Sequence, residues 1–278
     1  MKLKHSTGAI AFLLATPLVT GLTVGIAPSS AAIIAGSAAE VTIDNFSHTP
    51  KGNGTVANTY TQTTANNGLV ISEAMAEAVF VSNGDGLLTK NRSQSIVQGD
   101  GNNYSGFAKT QAIVLGDFDI DAAETFSFNF HTFLDILTLV EVDNRESERA
   151  SARGSISFSL INTVTNILFD SFQIASGLDS SSGHYFNFSP SNSFNPTAIN
   201  FNLMGEGSVV HSRLSTSGAY SRKFDSATSL RLLEVNNNIA EAEAVPEPST
   251  LFGTAIFLGL FVKRRKLNNK LSQVKSKV

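Results

Sequence analysis

The chain has 278 residues, 42% of them hydrophobic, enough to bury a core and to exclude a chain that is disordered throughout. It contains no cysteine, which removes disulfides, thiol catalysis and thiolate metal ligation together. The net charge of −3 hides a segregation: residues 40–244 carry 11 cations against 22 anions, while residues 263–278 carry seven cations and no acid, so no basic stripe exists for nucleic acid.

The first element is a leader. Lys2 and Lys4 give a charged start, Ala9 to Leu22 an apolar run broken by Pro17, and small residues follow at Ser30-Ala31-Ala32 and Ser37-Ala38-Ala39. This is the pattern of a signal peptide over residues 1–39, with cleavage expected between Ala32 and Ala39.

From residue 40 to 235 the dominant signal is alternation, with Ser, Asn, Thr and Gly punctuating short aromatic or β-branched runs. Strands are expected near Val41–Phe46, Thr55–Thr61, Leu69–Ser72 and Phe107–Leu115. The segment Ser72–Val81 fits helix and strand periods alike, but the β-prone end Val79-Phe80-Val81 favours strand. Asn83-Gly84-Asp85-Gly86 has hairpin-turn chemistry. Phe126, Phe128 and Phe130 share one face of the clearest strand, with Ser127, Asn129 and His131 on the other, and Leu134 and Ile136 resume the phase of the phenylalanines. Further strands are read at residues 154–161, 170–174, 185–188, 199–203, 219–224 and 228–235. Residues 98–103 and 177–183 read as connections, and Asn236 to Ala244 as a solvated linker. The expectation is a single all-β domain, an antiparallel β-sandwich or jelly roll, with its 20 phenylalanines supplying the core.

Chemistry is sparse in this region. The five histidines (His5, His48, His131, His184, His211) are scattered, and no nucleophile elbow, zinc-binding histidine pair or phosphate loop is present. Asp117, Asp119 and Asp121 alternate as at the start of a calcium loop, but Ala122 stands at the glycine position and Phe128 at that of the bidentate glutamate. They are read as the solvated turn before the Phe126 strand, with calcium as the one cofactor to consider. The mixed-charge stretch Val140 to Arg153 could lend Glu141 or Glu148 to a glycoside hydrolase, but reads first as an exposed segment laced with ion pairs. Carbohydrate binding is the other alternative, weakened by the absence of tryptophan and by only four tyrosines.

The last element begins at Val245. Pro246-Glu247-Pro248 is followed by an apolar run from Leu251 to Val262 and then by Lys263-Arg264-Arg265-Lys266. As a helix the run spans about 18 Å, less than the roughly 30 Å hydrocarbon core, but residues 246–250 can lengthen it and the basic block would stay cytoplasmic. In this order the three parts resemble the PEP-CTERM sorting signal of exported bacterial proteins, and the Ser/Asn/Phe-rich β region is similar to cyanobacterial ectodomains of that type. The resemblance implies an exosortase-type membrane protease as partner, an inner-membrane precursor held by the C-terminal helix, and delivery to the envelope or extracellular polysaccharide. It makes this chain a non-enzymatic substrate that supplies no catalytic residue. The prolines keep residues 245–248 extended and accessible to the protease. Twelve residues beyond the basic block, Leu267 to Val278, extend the tail further than is usual in the family.

Overall fold

A computed structural model describes residues 32–83, 86–140, 148–206 and 209–244. Those residues form ten strands: β1 (Ala32–Asp44), β2 (Gly52–Asn83), β3 (Gly86–Ile120), β4 (Thr125–Leu139), β5 (Glu148–Asn162), β6 (Leu168–Asp179), β7 (Gly183–Pro190), β8 (Phe194–Glu206), β9 (Val209–Lys223) and β10 (Thr228–Ala244). Every pairing is antiparallel, so the expected all-β, antiparallel architecture is what the chain adopts.

The organising element is one long bent hairpin. Asn83 pairs with Gly86, and from there β2 follows β3 along its length. On its other edge β3 changes partner midway: residues 89–100 pair with β1, and residues 104–120 pair with β10. The change falls at Gly101, whose φ of +103° lies in the region that favours glycine, and β2 slips register alongside it between Ala65 and Gly68. A Cβ on Gly101 would lie 2.6 Å from the Cα of Gly68, so backbone closeness as well as φ requires glycine there.

Two wings diverge from this bend. One runs β3-β1-β4-β9-β8 and the other β3-β10-β5-β6-β7, with β2 on the outer side of both halves of β3. The wings fold face to face into a nearly closed barrel: Asn91 on one half of β3 donates to the Ala112 carbonyl on the other at 2.9 Å, and Phe130 of β4 meets Phe158 of β5 and Phe172 of β6. At the far edges β7 and β8 meet through Phe186 and Phe201, whose rings stack at 4.9 Å.

The interior has two characters. Between β4, β5, β6 and β9 it is aromatic, with Phe128 stacked on Tyr220 at 5.0 Å and Phe172 against Phe194 at 5.3 Å. The inward phase read at Phe126, Phe128, Phe130, Leu134 and Ile136 is the buried one. Between β1, β3 and β10 the interior is instead small and polar. Ser37, Ser93, Ser95, Thr110 and Asn238 are buried there, with Ser37 donating to Asn238 at 2.6 Å and Ser95 bonded to Thr110 at 3.2 Å. Short side chains let the two halves of β3 approach closely, and Ser37, Ser93, Ser95, Thr110 and Asn238 bond to one another or to backbone across the gap. Among the described residues Thr89 Oγ1 and the amide oxygens of Asn91 and Asn236 are buried without a hydrogen-bond partner.

Four sequence expectations are corrected. Asn236 to Ala244 is not a linker but the second half of β10, a central strand with Asn236, Asn238, Ala240, Ala242 and Ala244 buried on one face. Alternation was present, but its inward members are Asn and Ala, which do not read as apolar. Residues 98–103 are not a connection; they lie inside β3 and carry its bend. Asp117 and Asp119 are not in a turn: they sit on the outward phase of β3, alternating with buried Phe118 and Ile120. Phe186 and Phe201 lie outside the core and are partly exposed. Ser72–Val81 is strand, as read, and residues 177–183 are split between the end of β6, a turn and the start of β7.

Candidate functional site

On the outer face of the β1 wing, register brings charges together that are far apart in sequence. Glu40 of β1 lies opposite Arg92 of β3 and Phe133 of β4, while Asp135 of β4 lies opposite Ala38 of β1 and Arg213 of β9. Glu40 accepts from Arg92 at 3.1 Å and pairs with Lys90 at 3.6 Å. Because Ala38 is short, a water-sized hollow opens beside Asp135, rimmed by Glu40, Arg92 and Phe133.

Asp135 is the unusual member, a carboxylate only 1% exposed on a sheet's outer face. It is compensated by His211 through Nε2 and by Arg213, whose Nε lies 3.5 Å from Oδ2. Among the described residues the side-chain contacts of His211 are both at Nε2, with Asp135 Oδ1 or, in the other tautomer, with Arg213 Nε at 3.2 Å, and neither is to a hydroxyl. The arrangement neutralises a buried acid and presents a small mixed-charge patch on a body that is acidic overall.

Two further polar groups are structural ties. Asp170 of β6 accepts from Arg222 at 2.8 Å, from Tyr220 at 2.9 Å and from Ser191 at 2.8 Å, joining β6 to β9 across the barrel. Burial alone would raise its pKa; the hydrogen bonds from Arg222, Ser191 and Tyr220 outweigh that and hold it below the ordinary carboxylate value. Arg222 also lies over the Phe169 ring at 4.7 Å. Glu234 of β10 is fully buried, and desolvation pushes its pKa up to about 8 despite a hydrogen bond from Asn91.

The sequence candidates are dispersed. Asp117 forms a two-point pair with Arg231 at 2.8 and 3.0 Å, and Asp119 accepts from Lys51 and, at 2.8 Å, from Ser229. Asp121 is exposed in the turn after β3. The three aspartates are therefore spread along a strand end, and two have cationic partners; among the described residues no group of three His, Asp or Glu is placed to hold a metal. Glu148 is buried at the start of β5, and Arg153 pairs with Glu241 at 3.1 Å. Glu141 lies outside the described residues, as do Pro246, Glu247, Pro248, the Leu251–Val262 run and the Lys263–Lys266 block.

His131 is exposed and bonded to Ser217 at 2.9 Å, as its outward phase implied. The Asp135–His211 pair was missed because its members lie 76 residues apart on different strands. The available signal was Asp135 itself, a lone acid in the apolar run Phe133-Leu134-Asp135-Ile136-Leu137. No protein-family model, curated protein or solved structure matches this chain.

Proposed function

We propose that this chain is an exported, non-enzymatic surface or matrix protein: an antiparallel β-barrel module routed by a cleavable leader and a C-terminal sorting signal. The observation that carries the reading is where the two ends of the body emerge. Ala32, the first residue of β1, pairs with Asp100, and Ala244, the last of β10, pairs with Tyr104. Both ends therefore leave the same pole of the barrel, on either side of the Gly101 bend. A precursor with an apolar leader before residue 32 and an apolar tail after residue 244 can place both in one membrane with the module standing outside it.

Ala32, already paired within β1, belongs to the first small-residue cleavage motif. Cleavage after Ala39 would remove much of a strand that pairs on both edges, with buried Ile33, Ala35 and Ser37. This favours processing at the earlier motif.

The test is fractionation of producing cells carrying Pro246→Ala and Glu247→Ala together. The wild-type module is expected in the envelope or medium, and the double variant is expected to stay with the inner membrane at full precursor length. Equal distribution of the two would contradict exosortase-type recognition of the tail.

A further inference from the structure

Among the described residues the sheet has three edge strands, β7, β8 and β2, and they are not alike. β7 is eight residues long and ends at Pro190, and β8 carries Pro196 with a register break between Pro196 and Ala198. Short length, proline and irregular register are the devices by which edge strands avoid pairing with other chains. β2 is different. It has 32 residues, and among the described residues it pairs with β3 alone, so from Gly52 to Ala65 no other described strand pairs with its outer backbone edge. From Gly52 to Ala65 it contains no proline and no charge and keeps unbroken register with β3. Both faces of this half are exposed from Thr55 onward, including Val56 at 46% and Tyr60 at 55%.

We infer that the Gly52–Ala65 half of β2 is a pairing edge for a second copy of this chain, joined antiparallel about a two-fold axis. An unpaired row of backbone N–H and C=O groups fits a β-strand as its occupant. Charge permits a second copy here, and the self-complementary sequence of the edge points to one. Residues 40–244 carry twice as many anions as cations, so approach through most of the surface opposes like charges, whereas this edge opposes none. Centred on Tyr60, self-pairing places Tyr60 against its copy, Asn58 against Gln62, and Thr59 against Thr61. These are aromatic, amide and hydroxyl pairs of the kinds that stabilise antiparallel neighbours. A two-fold pair closes on itself and consumes both β2 edges. The inference is independent of how the chain is routed.

The test is sedimentation of the full-length chain in mild detergent, as wild type and as two variants, Thr59→Lys with Thr61→Lys and Thr59→Glu with Thr61→Glu. All substituted side chains are exposed, so the melting temperatures should match. The wild type is expected as a dimer, each variant alone as a monomer, and an equimolar mixture of the two variants as a dimer containing one of each, because positions 59 and 61 face each other. A monomeric wild type, a dimer indifferent to the substitutions, variants that fail to pair when mixed, or concentration-dependent chains longer than a dimer would each overturn the inference.

Discussion

Glu234 is a fully buried carboxylic acid, and its protonation is coupled to folding. Its folded pKa is raised to about 8 by desolvation, from an ordinary value of 4.5. Below the ordinary value it is protonated in both states and contributes no pH dependence. Between that value and about 8 the unfolded chain releases a proton that the folded chain keeps, so stability falls as pH rises through this window. Asp170, Asp119, Glu124 and Asp179 act in the opposite direction: hydrogen bonds hold each below its ordinary value, so the stability they contribute is lost as pH falls through their folded values. The wild type should therefore be most stable in mildly acidic solution. Glu234→Gln keeps the shape and removes the titration, so chemical unfolding from pH 5 to 8 should show the wild type losing on the order of a few kcal/mol while the variant stays nearly flat. Parallel slopes for the two proteins would show that Glu234 is not the group responsible. None of this was legible in the sequence, where Glu234 stands between Leu233 and Val235 as an ordinary polar member of an alternating strand.

At the scale of elements, the aromatic strands were readable because Phe on every second residue has one physical meaning: one face must be dry. The hairpin at residues 83–86 was readable for the same sort of reason, since Asn-Gly-Asp-Gly supplies the backbone freedom a tight turn needs. The second half of β10 and the continuous β3 were not. Asn236 and Asn238 are buried because Asn91, Ser93 and Ser37 lie opposite to bond them, and those partners lie about 145 and 201 residues away in sequence. A buried polar strand is visible only once its partners are known. Gly101 has the converse history: Gln98 to Asn103 has the composition of a connection, yet its glycine serves to turn a continuous strand from one wing to the other. Gly101→Val sets a β-branched residue at positive φ against the Gly68 backbone, and should cost at least about 2 kcal/mol, read as a lowered midpoint in thermal unfolding. An unchanged midpoint would mean that the bend is not held where the pairing places it.

For the whole molecule, the candidate site and the fold had unequal legibility. The all-β character was carried by local alternation, whereas the Asp135, His211, Arg213 and Glu40 patch depends on the strand order β1-β4-β9, which no local pattern encodes. The same strand order brings Ala32 and Ala244 to one pole, and on this the proposed routing rests. The proposed signals rest on composition alone: a leader-like apolar run before residue 32, and Pro246-Glu247-Pro248 with an apolar run and four cations after residue 244. The intact mass of the mature protein, recovered from cells that carry an active exosortase-type protease, tests the account most directly. The account predicts a chain beginning within a residue or two of Ala32 and ending close to Val245, with β1 and β10 whole. A mature chain that still ends at Val278, or one that begins after Ala39, would contradict it.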